Sequence, residues 1–145
     1  MIEGLNQKFV NVTPPAAIKD NASFATTTVD TKGWGFVTFL ISLGATDIAL
    51  AALKLQESND SGMSGAADVS GADYSVNSTL PTATDDNNLF AIHVDCRGRK
   101  RYLDLVFTAG DGAAGTFGSA VAILSRPKIS PSSATDRGLT GELAV

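Results

Sequence analysis

The chain has 145 residues, of which 43% are hydrophobic and 18% are charged. This length and composition predict one domain with a core of its own and exclude a chain that is disordered throughout. The single cysteine excludes an intramolecular disulfide bond, and the formal net charge of −4 disfavours non-specific binding to nucleic acid.

The N-terminal segment, residues 1–22, is predicted to be an extended arm. It has neither the basic nor the apolar region of a secretory signal, and no run in the chain approaches the roughly 18 to 20 apolar residues that span a bilayer, so we expect a soluble protein. A short β-like pattern is centred on Phe9 and Val10, and Pro14 and Pro15 follow it. This pattern favours either a partly ordered terminus or a segment that docks onto a neighbouring subunit.

Three segments in the first half of the chain have the composition of strands. Residues 24–30 are rich in threonine, and residues 34–43 form the most apolar run in the sequence, which predicts a strand buried on both faces. Residues 48–57 are good helix formers but also alternate apolar with polar side chains, and we favour a strand over a helix there. The aromatic side chains that we expect in the core are Trp34, Phe36 and Phe39.

Two loops are predicted between these segments and the second half of the chain. Residues 58–73 and 79–88 are rich in small and polar residues, and we expect a short strand at residues 74–76 between them. The run Asp-Asp-Asn-Asn at residues 85–88 offers oxygen ligands but lacks the spacing and the closing glutamate of a calcium loop. We interpret it as a solvated turn.

Residues 89–112 are predicted to form a β-hairpin at the centre of the fold. Apolar side chains occur at alternate positions in both halves of the segment, as in strands with one buried face. The halves are joined by residues 97–101, which contain four of the eleven Lys and Arg residues, and Gly98 suits the positive φ of a tight connection. The side chains predicted to face the core are Phe90, Ile92, Val94, Cys96, Leu103, Leu105 and Phe107.

The last predicted strand covers residues 116–125. Small side chains on one of its faces would let another element pack closely; they belong to Gly118, Ala120 and Ala122. Two prolines and several serines follow, and residues 127–145 are predicted to be a C-terminal arm. We therefore expect an all-β fold in which residues 23–126 form a single β-sandwich or jelly-roll-like barrel between extended N- and C-terminal arms.

The sequence has no recognisable catalytic or metal-binding motif. His93 is the only histidine, which excludes a cluster of histidine ligands, and a hydrogen bond at the surface is the favoured interpretation of its spacing from Asp95. Cys96 is on the predicted core face, where we expect an unreactive thiol. No nucleophile elbow, phosphate-binding loop or dinucleotide fingerprint occurs. We therefore expect a protein that is not an enzyme and uses no cofactor and no metal.

The basic residues 97–101 have three possible roles. They could form a solvated turn, or they could dock onto an acidic protein surface, since arginine pairs bidentately with carboxylates. Nucleic acid is the third possibility. It is disfavoured by the negative net charge and by the lack of aromatic residues between the basic ones, because Tyr102 alone is close.

Five segments, taken in order, resemble small proteins encoded among the virion structural genes of tailed phages and prophages. They are residues 18–24 (IKDNASF), 34–43 (WGFVTFLISL), 44–49 (GATDIA), 80–88 (LPTATDDNN) and 97–104 (RGRKRYLD). The resemblance covers approximately residues 15–127. It implies a cement or decoration protein, often a homo-trimer at local three-fold axes, that stabilises the head shell from outside by bridging neighbouring subunits.

The resemblance also implies a partner and a location: the major capsid protein, and the capsid exterior of a virion assembled in the host cytoplasm. We expect no membrane or nucleic-acid partner. The main alternative is a tail- or fibre-associated virion protein that binds host glycans, although the loops have almost no aromatic residues; a small enzyme and a shell-forming subunit are less favoured. The residues expected to contact a partner are Phe9, Val10, Arg97, Arg99, Lys100, Arg101, Leu139, Leu143 and Val145.

Overall fold

The structure, a computed structural model, describes residues 2–145, and β-strands are the main regular structure of this part of the chain. A turn of 3-10 helix, Glu3–Asn6, precedes the first strand, and one short helix, α1 (Tyr74–Asn77), interrupts the series. The strands are β1 (Lys8–Thr13), β2 (Val29–Asp30), β3 (Trp34–Thr46), β4 (Ala52–Ser58), β5 (Ala67–Asp73), β6 (Leu89–Asp95), β7 (Tyr102–Thr108) and β8 (Thr116–Pro127).

The strands form two antiparallel sheets that pack face to face. The order is β1-β8-β3-β6 in the first sheet and β2-β7-β4-β5 in the second. The pairs β1·β8, β2·β7, β3·β6 and β4·β5 are those of one long antiparallel ribbon wound into two sheets, which is the jelly-roll arrangement. The predicted all-β sandwich is therefore confirmed, and the sheets do not close into a barrel.

The core lies between the sheets because each strand directs alternate side chains inward. In β3, Phe39 and Ile41 are completely buried, whereas Leu40 between them is half-buried on the outer face. The prediction that this run is buried on both faces is wrong, since only one of its faces meets the other sheet. Phe39 is a core residue as predicted, but Trp34 is only partly buried against the core and Phe36 lies on the outer face.

Residues 89–112 do not form the predicted hairpin. The alternation of buried side chains is confirmed, for example at Ile92 in β6 and Leu105 in β7. However, β6 pairs with β3 in the first sheet, whereas β7 pairs with β2 and β4 in the second. Residues 97–101 therefore cross from one sheet to the other. A period of two determines which side chains face the core, but it does not determine which strand lies alongside.

The predicted N-terminal arm contains an edge strand of the first sheet. In β1, Phe9 pairs with Ile123, and Val12 is completely buried. The sandwich therefore begins at β1 rather than at residue 23, because the apolar residues of this segment complete the core. Met1, the first residue of the predicted arm, lies outside the described residues.

Residues 24–30 form a strand only in their last two positions, β2. The N–H of Phe24 donates to the carbonyl oxygen of Phe107 in the second sheet at 2.8 Å. The N–H of Thr27 donates to the carbonyl oxygen of Val12 in the first sheet at 2.9 Å. The strand prediction fails for residues 24–28 because their hydrogen bonds go to two different sheets as the chain passes between them.

The ambiguous run at residues 48–57 is a strand from residue 52 onward, so the preference for a strand is confirmed there. The neighbouring loop prediction is wrong at its end, where β5 pairs with β4 to form the edge of the second sheet. The short strand predicted at residues 74–76 is instead α1. Asp73 caps this helix by accepting a hydrogen bond from the N–H of Ser75 at 2.8 Å.

Residues 128–145 fold back against β1 and are anchored by one buried arginine. The carbonyl oxygen of Arg137 accepts a hydrogen bond from the N–H of Phe9 at 2.8 Å. Arg137 is 5% exposed, and within the segment its side chain forms an ion pair with Glu142 and donates to the carbonyl oxygen of Pro131 at 3.0 Å. Outside the segment it donates to the carbonyl oxygen of Leu5 at 3.5 Å. The predicted C-terminal arm is thus attached to its own subunit at Arg137, whose side chain also holds together the segment as far as Glu142.

Gly118 of β8 lies directly under the ring of Phe107 in the opposite sheet, which confirms that the small-residue face allows close packing. A Cβ atom on Gly118 would be 2.5 Å from Cζ of Phe107. We expect Gly118→Ala to lower the free energy of unfolding by about 1–3 kcal/mol, measured by urea denaturation, because the ring must move within a close-packed core. Gly4→Ala is the control, since its Cβ would meet nothing within 4 Å. Equal losses in both variants would contradict this explanation.

Candidate functional site: the basic end of the sandwich

The loops at one end of the sandwich contain most of its positive charge. Residues 97–101 cross between the sheets at this end, the β2–β3 turn at residues 31–33 lies beside them, and residues 126–128 leave β8 there. These loops hold seven of the eleven Lys and Arg residues of the chain. We call this surface the basic end, and its cations are Lys32, Arg97, Arg99, Lys100, Arg101, Arg126 and Lys128.

Hydrogen bonds hold the three loops together. The N–H and the hydroxyl of Thr31 both donate to the carbonyl oxygen of Arg101, at 3.0 and 2.6 Å. The N–H of Lys128 donates to the carbonyl oxygen of Gly33 at 2.8 Å. Gly33 and Gly98 have φ values of +87° and +76°, a conformation that side chains disfavour. The cations are therefore attached to loops of defined conformation.

Carboxylates neutralise part of this charge. Arg101 donates two hydrogen bonds to Asp30, at 2.8 and 2.7 Å, and Arg97 donates three side-chain hydrogen bonds to Asp95, between 2.5 and 3.0 Å. The Arg97 guanidinium, helped by its backbone N–H, lowers the pKa of Asp95 to about 2. The Arg101 guanidinium likewise lowers the pKa of Asp30. Both carboxylates are thus ionised at neutral pH and orient the guanidinium groups.

The other cations of the basic end are less neutralised. Nη1 of Arg99 is 3.8 Å from Oε1 of Glu57, which is a long distance for an ion pair. Among residues 2–145, no ion pair involves the remaining cations, which are Lys32, Lys100, Arg126 and Lys128. Four positive charges are therefore available to carboxylates of a binding partner.

Aromatic rings support three of the arginines. The Cζ atoms of Arg97 and Arg126 lie 5.7 and 5.4 Å from the ring centroid of Phe36, and Cζ of Arg101 lies 4.8 Å from that of Tyr102. Each such cation–π contact contributes about 0.5–1 kcal/mol at an exposed site. Phe36, which was predicted to be a core residue, therefore supports two guanidinium groups on the outer face of the first sheet.

The opposite end of the sandwich is acidic. Its carboxylates accept hydrogen bonds from loop backbone: Asp20 from the N–H of Gly112 at 2.9 Å, and Asp86 from the N–H of Thr46 at 2.7 Å. The acidic residues of these loops are Asp20, Asp47, Asp85, Asp86 and Asp111, and Lys19 is the cation beside them. The molecule therefore has opposite charge at its two ends, which the net charge alone does not indicate.

The predicted partner residues in the two arms do not join the basic end. Phe9 lies on the outer face of β1, whereas the side chain of Val10 packs against the core and faces away from any partner. Leu139 is half-buried, while Leu143 is 97% exposed and Val145 is fully exposed. Of the nine predicted residues, the structure places only the four in residues 97–101 together on one surface.

Three cations of the basic end were missed by the sequence analysis. Lys32 precedes the apolar run of β3, and Arg126 and Lys128 follow that of β8. They become neighbours because β3 and β8 are adjacent and antiparallel, so that Trp34 pairs with Pro127. The positions at strand ends were visible in the sequence, but the adjacency of these two strands was not.

The residues considered for chemistry have ordinary structural contacts. Nδ1 of His93 is 2.9 Å from Oγ1 of Thr38, so its hydrogen-bond partner is Thr38, while Asp95 is held by Arg97. Burial, with a contribution from the charge of Asp95, raises the pKa of the half-buried Cys96 thiol. Within residues 2–145, no three potential ligands among His, Cys, Asp and Glu lie close enough to hold a metal ion, and no helix is long and apolar enough to cross a membrane.

The arrangement at the basic end is suited to charge-assisted hydrogen bonds with an acidic surface, because oriented guanidinium groups and unpaired ammonium groups lie together. Comparison of the chain with protein-family models and with curated proteins gave no match.

Proposed function

We propose that this chain is a non-enzymatic accessory capsid protein of a tailed phage, which binds the outside of the head shell and stabilises it by bridging major capsid subunits. The observation that supports this most is the basic end, where ordered loops present four cations without a carboxylate partner. Such a surface complements an acidic patch on another protein. The resemblance of residues 15–127 to small virion proteins supplies the identity of that partner.

A protein surface suits the basic end better than nucleic acid does. Arg97 and Arg101 are already held by carboxylates, which would repel phosphate groups. The ring of Tyr102 is covered by Arg101 and is not free to stack on a base. The acidic end and the net charge of −4 add repulsion from a phosphate backbone at longer range.

Docking through the basic end would be weak for one copy and strong for several. An ion pair at an exposed surface contributes at most about 1 kcal/mol, so a few pairs give modest affinity. When copies are joined to one another, each further contact with the shell becomes intramolecular, and the overall affinity rises by a factor of about 10² to 10⁴. A shell with many equivalent positions is the kind of target that such a surface fits.

Reversing one charge of the basic end should weaken binding to emptied phage heads about tenfold, because an attraction of at most about 1 kcal/mol becomes a repulsion. Lys32→Glu and Lys128→Glu test this, since both lysines are exposed and neither forms an ion pair, so the fold should be unaffected. Lys19→Glu makes the same charge change at the acidic end. Co-sedimentation with heads at low and moderate salt measures the affinity.

Two outcomes would contradict the proposal. In the first, both basic-end variants bind heads as tightly as the wild type, or Lys19→Glu weakens binding equally. In the second, the wild-type protein does not bind heads. Binding of duplex DNA would then favour the nucleic-acid alternative, and binding to a glycan array would favour the host-binding alternative.

A further inference from the structure

The outer face of the first sheet is uncharged away from the basic end, where the Arg97 and Arg126 guanidinium groups lie over the ring of Phe36. In residues 9–13, 36–43, 89–95 and 117–125 of this sheet, Asp95 is the only Asp, Glu, Lys or Arg, and the charged residues Lys8 of β1 and Arg126 of β8 lie just beyond these ranges, toward the basic end. Asp95 lies at the margin and is held by Arg97. The large apolar side chains on this outer face are Phe9, Phe36, Leu40, Leu89, Phe117, Val121 and Ile123.

The register of the sheet brings these side chains together. Val121 lies opposite Leu40 on one side and opposite Asn11 on the other, and Ile123 lies opposite Phe9. Large apolar side chains at the ends of the face are strongly exposed, as Phe117 is 44% and Leu89 64% exposed. The result is a mainly uncharged surface across all four strands, with an apolar cluster at its centre and polar side chains between the apolar ones at Asn11, Thr38, Ser42, His93 and Ser119.

The outer face of the second sheet has the opposite character. Lys54 and Asp68 form an ion pair of 2.7 Å there, and Gln56 donates to Asp68 at 2.8 Å. Asp104 accepts a hydrogen bond from the hydroxyl of Thr26 at 2.9 Å. This face is typical of a sheet that faces water, whereas the outer face of the first sheet is typical of one that is covered.

We propose that the outer face of the first sheet is the contact between two copies of this chain, packed face to face about a two-fold axis perpendicular to the strands. Such an axis reverses the strand direction of one copy. The basic end of each copy then lies beside the acidic end of the other, so that the charge polarity of the molecule favours this pairing. The apolar centre of this face is best covered by another apolar surface, and the same face of a second copy provides one.

The size of the face is sufficient. Four strands spaced by about 4.8 Å, which pair over five, ten and seven residues, give an area of roughly 500 Å² per copy. Two copies would bury roughly 1,000 Å², above the level of most crystal-packing contacts and at the lower limit of specific interfaces. Association should therefore be measurable at micromolar concentrations without being permanent. The pairing does not rest on the capsid proposal.

Light scattering of the purified full chain, without capsids, tests the pairing. Val121→Glu places a carboxylate at the centre of the face in both copies, and we expect the dissociation constant to rise about a hundredfold. Val106→Glu is the matched control, because Val106 is half-buried on the outer face of the second sheet, opposite Lys54. The wild type and the control should have the mass of two chains, and the Val121 variant that of one.

Leu89→Glu provides a second test that does not threaten the fold, since Leu89 is already 64% exposed on an edge strand. We expect it to weaken association at least about tenfold. Circular dichroism confirms that each variant is folded. A wild-type mass of one chain or of three chains would overturn the proposal, and so would a Leu89 variant that associates as well as the wild type. A negative result for pairing does not bear on the binding of heads by the basic end, which the co-sedimentation assay tests separately.

Discussion

Replacing Phe107 by alanine should lower the free energy of unfolding by about 4 kcal/mol, the largest effect we expect from a single substitution. Phe107 is 1% exposed and its ring stacks on that of Phe24, with 4.1 Å between the ring centroids. The same ring fills the space above Gly118 in the opposite sheet. Its removal leaves a cavity between the two sheets, and the strands around it cannot collapse without breaking their register.

Phe117→Ala is the matched control for this substitution. Phe117 lies on the outer face of the first sheet and is 44% exposed, so its loss should cost less than about 1 kcal/mol. Urea denaturation monitored by far-ultraviolet circular dichroism measures both variants with the same protein concentration. Similar losses for Phe107 and Phe117 would show that the inner and outer faces of the sandwich are assigned incorrectly.

Replacing Arg137 by alanine should release the C-terminal segment while the sandwich stays folded. Arg137 is 5% exposed, and its side chain joins Glu142 and the carbonyl oxygen of Pro131 within the segment to the carbonyl oxygen of Leu5 outside it. Its loss leaves the Glu142 carboxylate without its partner in a partly buried position, which favours the detached state. We expect the rate of cleavage by thermolysin before Leu139 and Leu143 to rise about tenfold or more, since the segment then opens without global unfolding.

Tryptophan fluorescence gives an independent measure of this release. Trp34 is the only tryptophan of the chain, and it lines a cavity together with Ile129 and Pro131. Detachment of the segment should therefore shift its emission to longer wavelength. Arg97→Ala is the control, because it removes an arginine whose side chain is 79% exposed. Unchanged fluorescence and cleavage in the Arg137 variant would exclude the anchoring role.

Acid should have the same effect as the Arg137 substitution. The Arg137 guanidinium lowers the pKa of Glu142 in the folded protein. A carboxyl group whose pKa is lower in the folded than in the unfolded state stabilises the fold above its unfolded pKa of about 4.3, and this stabilisation is lost as the pH falls through the folded value. We therefore expect the Trp34 emission to shift below about pH 4 in the wild type and to change less in Arg137→Ala.

The separation of charge between the two ends follows from winding the chain into a jelly roll. Every strand starts at one end and finishes at the other, so alternate loops of the sequence meet at the same end. Residues 31–33, 59–66, 97–101 and 126–128 meet at one end; the loop at residues 59–66 has Asp60 as its only charged residue, and the other three are basic. The loops at the opposite end are acidic or neutral. A chain with a net charge of −4 can therefore offer a positive surface to a partner.

Periodicity and composition predicted the parts of the fold that depend on neighbouring residues. The alternation at Ile92 and Leu105 identified their strands and the faces that are buried, and the small residues around Gly118 indicated close packing. The glycine- and serine-rich run at residues 58–73 concealed β5, because its few apolar residues face the core only once β4 lies beside it. The helix that starts at Tyr74 has a local cause instead, since Asp73 caps it.

The all-β class, the inward-facing side chains and the cluster of cations at residues 97–101 could be predicted from local patterns, because each is a property of adjacent positions. Three features required the fold: β6 and β7 belong to different sheets, Lys32 and Lys128 join that cluster, and Arg137 fastens the C-terminal segment. These three features depend on which segments far apart in the sequence come together, and many strand pairings are compatible with the same alternation of apolar and polar residues. The choice among them is made by the packing of the whole core.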